Sequence, residues 1–496
     1  LGPAPETEAL PAAQVYTAVA EQFRKLGAKN FLFETLSSDA GILEAVRTLK
    51  AAEPDAFVLV SFAVLPDGYT REGLYCKDLV RRMSESGCVD AVGLNCVSAP
   101  GAMRTLARSL SSALPLSVMP NAGYPVVTRT QVRYQGKPEY FAQELSGLAA
   151  DGVVRILGGC CGTTPAHIAA LRAELDSLPV VEKTTPAEEF STVKERTVEN
   201  EDAFLRKLNA GEKVIAIELD SPRNADLTGY LEGAKKLQAA GADLLTIADC
   251  PIAQARMDSS LVACRVHREL GLCTLPHMTC RDRNLNATKA LLLGLYAEGV
   301  REVLAITGDP IPTAERDEVK NVYQFNSRKL AQYIVSLAGE GREMPSAMTV
   351  FGALNLNARN FEVELRRAGE KLEHGMSGFL TQPVLSGQAV ENLRHAREVL
   401  GSRARILAGI MPVVSQRNAI FMENEINGIH VEEDIIRQFA GLDRAQGEEL
   451  GLAISLKMAR EALPYADGFY LMTPFNRVAL MERLIARLRT EVLQES

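Results

Sequence analysis

The stretch VIAIELDSP, residues 214–222, decides the fold, because it is an apolar run that ends in acidic residues and a proline. Seven further runs of this kind follow, with amphipathic segments such as residues 227–240 and 361–374 between them. Near-continuous apolar runs are typical of parallel strands buried on both faces. Eight strand–helix units in about 290 residues therefore predict a (β/α)8 barrel rather than an open sheet. The other predicted strands are residues 243–251, 273–280, 302–310, 347–356, 378–384, 405–413 and 467–475.

The first third of the chain shows the same alternation with fewer units. Its predicted strands are residues 30–36, 57–65, 90–96, 116–120 and 153–159. Five units do not close a barrel, and Leu1-Gly2-Pro3 has the character of the end of a further strand. We therefore predict an α/β protein with two TIM-type (β/α)8 barrels, the first incomplete at its N-terminus. The predicted segments are residues 1–178, a polar linker with two prolines at 179–199, and residues 200–496.

Composition places the chain among globular proteins and argues against several classes of function. Hydrophobic residues make up 47% and charged residues 23%, which is ordinary for a globular domain. The formal charge of −8 argues against nucleic acid as the main partner. No apolar run has the length of a membrane span and no signal peptide is visible, so we expect a cytoplasmic protein. The nine cysteines are an odd number scattered through a long chain, which does not fit a disulfide framework. The sequence leaves open whether the protein forms a homo-oligomer.

Three cysteines fall at the ends of two predicted strands in the first segment. Cys96 ends the motif GLNC (93–96), and Cys160 and Cys161 lie in GGCCGTTP (158–165). The carboxyl ends of the strands of an α/β barrel share the face that carries active sites. Three thiolates with an open fourth position fit a catalytic zinc site. Buried structural cysteines and a vicinal disulfide remain alternatives.

These cysteine motifs resemble the zinc homocysteine S-methyltransferase family over about residues 1–175, and the motifs FET (33–35) and MPNAG (119–123) also match. The resemblance implies that three thiolates hold Zn²⁺ and that the homocysteine sulfur takes the open position. The implied zinc ligands are Cys96, Cys160 and Cys161, and the implied homocysteine-binding residues are Glu34 and Asn121. Judged from the residues alone, Glu34 could instead cap the following helix and Asn121 could serve a turn.

Polar residues stand at the ends of the predicted barrel strands in the last segment. Glu218 lies inside an apolar strand, where desolvation would raise its pKa and suit a general acid near pH 7. Asp309 follows another strand, and further polar groups lie in PHMTC (276–280), TQP (381–383) and TPFNR (473–477). Each alone fits a strand-end cap, but five strands with polar ends at one mouth indicate an active site. No Gly-x-Gly-x-x-Gly motif follows a strand, so we expect no Rossmann nucleotide site.

This ordered set of motifs resembles the methylenetetrahydrofolate reductase family over about residues 200–490. The resemblance implies FAD at the barrel mouth, NAD(P)H as co-substrate, and folate binding after the nicotinamide leaves. Glu218 would protonate a folate nitrogen, Asp309 would tune the flavin and help hold the folate, and Gln382 would contact folate or nicotinamide. The implied cofactor-binding residues are His277, Thr279, Asp309, Asn355, Asn357 and Lys371.

Two positions depart from that family. Ala248 stands where a hydroxyl residue is frequent, and GALNLN (352–357) replaces a Tyr-Pro segment and a histidine. Both positions are expected to contact the cofactors, so the sequence leaves open whether the electron donor is NADH, NADPH or a protein. The combined prediction is a methylenetetrahydrofolate reductase fused to an enzyme that transfers a methyl group to homocysteine. The methyl donor is either methyltetrahydrofolate, the product of the reductase, or S-methylmethionine. The alternatives are a monofunctional reductase with an inactive methyltransferase remnant, and a non-catalytic folate- or flavin-binding regulator.

Overall fold

The computed structural model describes residues 2, 11–123, 125–127, 132–134, 136–150, 152, 154–178, 202–309, 320–339, 342–425 and 428–494. The chain forms two compact units, Leu1–Lys194 (unit 1) and Glu195–Ser496 (unit 2). The predicted linker at 179–199 and the predicted strand end at Leu1 and Pro3 lie outside the described residues, so the domain boundaries remain a prediction. Of the helices that are described, none combines the length and apolarity needed to cross a membrane.

Unit 1 is built on a parallel sheet whose described strands run in the order β1-β2-β3-β4-β7. Its core packs strand residues against the helices, for example Phe33 of β1 edge-on to Tyr16 of α1. The strands are β1 Asn30–Leu36, β2 Phe57–Phe62, β3 Ala91–Asn95, β4 Leu116–Met119, β5 Pro125–Val127, β6 Val132–Tyr134 and β7 Ile156–Leu157. The helices are α1 Ala12–Lys25, α2 Ile42–Ala52, α3 Cys76–Glu85, α4 Pro100–Arg108, α5 Pro138–Ala150 and α6 Pro165–Ser177.

The sheet of unit 1 confirms the five predicted strands, with β7 shortened to two residues. The antiparallel pair β5–β6 was not predicted. Strands of three residues are too short to display an alternating pattern, so the sequence carries little signal for them.

Unit 2 is a closed parallel barrel, and its fold class is the predicted one. The eight described strands pair in chain order, and β15 returns to β8, with Met472 opposite Glu218. The strands are β8 Val214–Glu218, β9 Leu244–Ile247, β10 Cys273–Thr279, β11 Glu302–Ile306, β12 Thr349–Leu354, β13 Gly378–Pro383, β14 Arg405–Ile410 and β15 Gly468–Met472. Each lies inside its predicted run, because the polar residues and prolines at the ends of the runs belong to the loops that carry the site.

Helices and short 3₁₀ segments connect these strands. The α-helices are α7 Ala203–Asn209, α8 Thr228–Ala240, α9 Ser259–Leu270, α10 Leu285–Ala297, α11 Ser327–Ser336, α12 Phe361–Glu373, α13 Gly387–Leu400, α14 Gln416–Glu425, α15 Glu433–Gln438, α16 Arg444–Ala462 and α17 Val478–Glu491. The 3₁₀ helices are Pro251–Ala253, Gly401–Arg403, Leu463–Tyr465 and Pro474–Asn476.

Helix α7 packs into the N-terminal end of the barrel. Its residues Phe204, Leu205 and Leu208 join the cluster of inward-facing side chains, which includes the first residues of β8, β9 and β10. Phe204 lies 6.2 Å, centroid to centroid, from the ring of Phe351 on β12. Asp202 caps the helix by accepting a hydrogen bond from the Leu205 backbone N–H at 3.0 Å.

A buried carboxyl group lies at the same end of the barrel. Glu302, the first residue of β11, is fully buried, and neither of its oxygens accepts a hydrogen bond from a described residue. Burial, and next the neighbouring carboxylate of Asp202, raise the pKa of Glu302 well above its usual value. Two carboxyl groups that face one another in an apolar site favour the state in which they retain a proton, so Glu302 holds its proton to higher pH than an exposed glutamate does.

Candidate active sites of the two units

Three thiols meet at the carboxyl end of the unit 1 sheet. Cys96 follows β3, and Cys160 and Cys161 follow β7. Their sulfur atoms lie within 4.8 Å of one another, and the Sγ atoms of Cys96 and Cys161 are 3.5 Å apart. No disulfide joins the described cysteines, so the structure gives the vicinal disulfide no support. Zinc–sulfur bonds of about 2.3 Å place tetrahedral sulfur ligands about 3.8 Å apart, so this thiol set fits Zn²⁺.

The backbone at this sulfur cluster is strained. Thr35, Cys96 and Val97 have φ values of 61°, 57° and 60°, in the left-handed region that non-glycine residues rarely adopt. Backbone hydrogen bonds hold the cysteines in place, from Cys96 N–H to the Met119 carbonyl at 3.0 Å and from Cys160 N–H to the Pro120 carbonyl at 2.8 Å. Such strain costs about 1–3 kcal/mol a residue and is concentrated at functional sites.

Asn95, the last residue of β3, connects β1 to the sulfur cluster. Its side-chain carbonyl accepts a hydrogen bond from the Thr35 backbone N–H at 2.9 Å. Its amide donates to the Thr35 hydroxyl at 2.8 Å and to Cys160 Sγ at 3.8 Å. Asn95 belongs to the motif GLNC, but the sequence indicates no role for it, because only the folded sheet brings Thr35 beside it.

The two predicted homocysteine-binding residues lie in the elements around the cluster. Glu34 is partly buried in the irregular part of β1, next to Thr35. The N-cap of α2 is Gly41, without a side-chain cap, so the helix-capping alternative for Glu34 is wrong. Asn121 is 4% exposed, and its Oδ1 atom has no hydrogen-bond partner among the described residues. A buried amide oxygen in this position suits contact with a ligand, and both roles stay predictions.

Tyr134, on the unpredicted strand β6, also lies at the cluster. Its ring packs so closely on Gly162 that a Cβ there would lie 2.3 Å from Tyr134 Cγ, and Gly162 has φ +76°. Burial, followed by a hydrogen bond with Cys161, raises the pKa of Tyr134. Neither Tyr134 nor its strand is predicted from the sequence.

Glu218 is the last residue of β8 and lies at the mouth of the barrel of unit 2. The hydroxyl of Tyr470, on the neighbouring strand β15, donates a short hydrogen bond to Glu218 Oε2. The Thr473 hydroxyl donates to the Glu218 backbone carbonyl at 2.5 Å. Burial raises the pKa of Glu218 to about 7, although the Tyr470 hydrogen bond works in the opposite direction. Glu218 can therefore act as a general acid near neutral pH, as the sequence predicts.

His277 faces Glu218 from β10. Its Nε2 atom is 3.7 Å from Glu218 Oε2 and has no hydrogen-bond partner within the described part of the chain. Burial lowers the pKa of His277 to about 4, so the imidazole is neutral at pH 7. A buried ring nitrogen without a partner, at the mouth of a barrel, suits contact with a bound molecule.

Thr279 lies two residues further along β10 and is held by a buried carboxylate that sequence reasoning missed. Asp249 accepts hydrogen bonds from the Thr279 N–H at 3.1 Å and from its hydroxyl at 2.9 Å. Arg283 bridges Asp249 at 2.8 Å and Asp258 at 2.7 Å. This network fixes the end of β10 beside His277.

Asp309 is exposed in the loop after β11. Arg281 Nη1 donates to its backbone carbonyl at 3.1 Å. Gly308, which has φ +90°, packs directly against Thr279. A Cβ added at Gly308 would lie only 2.9 Å from Thr279 Cβ. The loop that carries Asp309 is thereby held against the end of β10.

The backbone of Gly428 is surrounded by three of the predicted residues, namely Asn355, Asn357 and Gln382. An added Cβ at Gly428 would lie 3.2 Å from Asn355 Nδ2 and 3.7 Å from Gln382 Cδ. Asn357 Nδ2 donates to the Gly428 carbonyl at 3.0 Å. The structure therefore brings three of the predicted residues to one place after β12 and β13.

Lys371 lies behind these residues on α12. Its ammonium donates to the Ala353 carbonyl at 2.6 Å and is 3.8 Å from a Glu364 carboxylate oxygen. Burial lowers the pKa of Lys371. In this arrangement Lys371 supports the end of β12, and its predicted contact with a cofactor phosphate stays a prediction.

With this geometry established, comparison with known proteins assigns the family. A family model described as Methylenetetrahydrofolate reductase matches residues 203–489, more than half of the chain. The chain belongs to the methylenetetrahydrofolate reductase family. A second model, described as Homocysteine S-methyltransferase, matches residues 2–175. The polypeptide therefore joins a methylenetetrahydrofolate reductase domain to a homocysteine S-methyltransferase domain, as the motifs predict.

Curated relatives match parts of the chain. It is 29% identical over 251 residues to a methionine synthase of Mycobacterium tuberculosis, which is 45% of this chain and 21% of that protein. It is 34% identical over 173 residues to a methionine synthase of Mycobacterium leprae, covering 34% and 14% respectively. It is 34% identical over 150 residues to a homocysteine S-methyltransferase of Escherichia coli, covering 30% and 48%. The chain thus spans at most about half the length of these relatives.

One solved structure matches part of the chain. It is an uncharacterized protein from Clostridium thermocellum that binds two copies of 5-methyl-5,6,7,8-tetrahydrofolic acid. The TM-score is 0.43 at 13% identity, covering 57% of this chain and 98% of that chain. A similarity at this level carries no argument about function.

The reductase family implies FAD, and the residues at the mouth of unit 2 fit such a group. The buried Nε2 of His277 lacks a partner among the described residues, and the amide of Gln382 lies at the mouth beside Asn355. These neutral hydrogen-bonding groups match the donors and acceptors of an uncharged ring system. The carboxyl group of Glu218 lies 3.7 Å from His277 Nε2 at the same mouth.

Proposed function

We propose that unit 2 reduces 5,10-methylenetetrahydrofolate to 5-methyltetrahydrofolate with FAD and NAD(P)H. One observation carries the proposal: Glu218, with a pKa of about 7, lies between the Tyr470 hydroxyl and the unpartnered Nε2 of His277 at the mouth of the barrel. A carboxyl group with this pKa is protonated often enough at neutral pH to act as an acid, and it is a usable base after it has given up its proton.

Glu218 delivers the proton in this reaction. Tyr470 donates to Oε2, so the acidic proton of Glu218 resides on Oε1. A folate nitrogen takes that proton, the carbon–nitrogen bond of the five-membered ring breaks, and the resulting iminium carbon accepts a hydride. FAD, when bound, would supply that hydride, with NAD(P)H as the source of the electrons.

The other predicted residues position ligands around this acid. His277, neutral at pH 7, offers Nε2 to the cofactor or the folate. Thr279, held by Asp249, and Asp309 line the side of the mouth formed by β10 and β11. On the opposite side, Gln382 contacts folate or nicotinamide, and the remaining cofactor-binding residues are Asn355, Asn357 and Lys371.

For unit 1 we propose zinc-dependent methyl transfer to homocysteine, which gives methionine. Cys96, Cys160 and Cys161 would hold the metal, and the thiol-only donor set with its short sulfur–sulfur distances supports this assignment. Zinc, when bound, supplies a Lewis acid that lowers the pKa of the homocysteine thiol. Glu34 binds the amino group of homocysteine, and Asn121 lines the pocket.

The product of unit 2 is a methyl donor, which gives the fusion a chemical rationale. Methyltetrahydrofolate and S-methylmethionine both stay open as the donor for unit 1. The nicotinamide preference, the oligomeric state and the cytoplasmic location stay predictions.

An absorbance spectrum followed by an anaerobic titration tests the proposal for unit 2. We expect flavin bands that bleach with NADH or NADPH and return when methylenetetrahydrofolate is added. In Glu218→Gln the bleaching should persist and the return should fail, because the acid acts only on the folate. A protein that takes up no FAD refutes the proposal. Bound FAD without turnover, unchanged in Glu218→Gln, would favour the non-catalytic regulator.

Zinc analysis with a methionine assay tests the proposal for unit 1. We expect one zinc per chain in the unmodified protein and a loss of zinc in Cys161→Ser. Cys88→Ser, a cysteine outside the cluster, is the matched control and should keep the metal. Full zinc without methionine formation from either methyl donor would favour a reductase with an inactive methyltransferase remnant.

A further inference from the structure

Asn95 is the one side chain described above that contacts both β1 and a sulfur of the cluster. It is fully buried. Its Oδ1 accepts from the Thr35 N–H at 2.9 Å, and its Nδ2 donates to the Thr35 hydroxyl at 2.8 Å and to Cys160 Sγ at 3.8 Å. Both amide protons and one lone pair of the carbonyl oxygen are therefore directed at two residues.

The contact with Thr35 holds a strained backbone. Thr35 is β-branched and has φ 61°, a conformation that is costly for such a residue. The hydrogen bond that Asn95 accepts from its N–H fixes that conformation. The preceding residue is Glu34, so the orientation of the predicted homocysteine-binding carboxylate depends on the same contact.

The contact with Cys160 is a hydrogen bond from an amide N–H to sulfur, with Nδ2 3.8 Å from Sγ. An amide N–H that donates to a metal-bound thiolate withdraws electron density from the sulfur and fixes its direction. Removing a residue that hydrogen-bonds to a metal-ligating side chain typically lowers the metal affinity 10- to 100-fold.

We propose that Asn95 is a positioning residue of the zinc site. Its amide donates a hydrogen bond to the Cys160 thiolate in the metal-loaded protein, and its carbonyl locks the Glu34–Thr35 turn that receives homocysteine. This inference rests on the proposed zinc site of unit 1. The single side chain of Asn95 thereby sets the orientation of both homocysteine and the metal ligand Cys160.

Cobalt substitution of the 496-residue chain tests the proposal, because thiolate-to-Co²⁺ charge-transfer bands report the electron density on sulfur. Asn95→Asp keeps an acceptor for the Thr35 N–H but places a carboxylate oxygen against Cys160. We expect the charge-transfer band to move to lower energy and the metal dissociation constant to rise about 10- to 100-fold.

Ser98→Ala is the matched control. Ser98 is buried two residues after Cys96 and donates to the Val64 carbonyl at 2.7 Å, so its removal deletes a nearby hydrogen bond without touching sulfur. The cobalt band of this variant should stay where it is in the unmodified protein.

A second variant keeps the test valid if Asn95→Asp does not fold. Thr35→Val removes the hydroxyl that orients the amide and leaves the sulfur contact, so a smaller shift in the same direction is expected. A folded Asn95→Asp or Thr35→Val protein with an unchanged band and affinity would overturn the role of Asn95 alone. An unmodified protein that binds no Co²⁺ or Zn²⁺ would overturn the zinc site together with this inference.

Discussion

Removing one hydroxyl group, in Tyr470→Phe, should move the pH dependence of folate reduction upward. The Tyr470 hydroxyl donates to the carboxylate of Glu218 and so stabilises its charged form. A hydrogen bond to a charged group contributes about 1.5–3 kcal/mol, and one pKa unit corresponds to about 1.4 kcal/mol. Without the hydroxyl, the pKa of Glu218 should rise from about 7 by about one to two pH units.

The sign of the effect on activity follows from the role of Glu218 as the acid. Activity is lost as the pH rises through its pKa, because the proton is then absent. In Tyr470→Phe the proton persists to higher pH, so the alkaline limb of kcat/KM for methylenetetrahydrofolate should shift upward. Oxidation of the reduced flavin by folate, followed in a stopped-flow instrument from pH 6 to 10, measures this limb directly.

A neighbouring buried tyrosine supplies the control. The hydroxyl of Tyr230 donates to the Leu219 carbonyl at 3.2 Å and not to Glu218. Tyr230→Phe should therefore leave the alkaline limb unmoved. A limb that stays near pH 7 in Tyr470→Phe, or that moves downward, would refute either the hydrogen bond or the assignment of Glu218 as the acid.

Three further predictions concern stability. The folded protein binds the Glu302 proton more tightly than the unfolded chain, so the stabilisation is complete below the ordinary pKa and declines as the pH rises through the raised one. Glu302→Gln, which cannot ionise, should flatten this decline of melting temperature with rising pH. Gly162→Ala should lower the free energy of unfolding of unit 1 by about 1–3 kcal/mol, because the added methyl meets Tyr134 at a positive φ; an unchanged urea midpoint would contradict this. Arg283→Ala should destabilise unit 2 by about 3–5 kcal/mol, measured by urea unfolding, because it leaves the Asp249 carboxylate buried without its cation.

The strands of both units could be predicted because buried parallel strands have a sequence signature that needs no tertiary information. The run from Val214 to Ile217 is apolar because both of its faces are covered, and the polar residues Glu218, Asp220 and Ser221 follow where the chain leaves the barrel. The hairpin of β5 and β6 has no such signature. Its strands are three residues long, and antiparallel pairing at that length depends on surroundings that the local sequence does not encode.

The site could be predicted where the chemistry resides in one residue type. Cys96 and Glu218 are unusual residues for the ends of apolar strands, and that contrast is visible in the sequence. Their partners are not unusual. Tyr470 is an ordinary buried aromatic residue of β15 until the register of the barrel places it beside Glu218. Asp249 becomes notable only when Thr279 and Arg283 are brought to it from β10 and the loop that follows.

Helix α7 determines where the second half of this protein can be separated from the first. Strand β8 begins at Val214, but the interior of the barrel is complete only with Phe204, Leu205 and Leu208. A gene fragment that starts at the first strand would leave Phe351 and its neighbours exposed to water, and its product should aggregate. A recombination event that transplants the barrel as an independent module must therefore break the chain before Asp202, the residue that caps the helix.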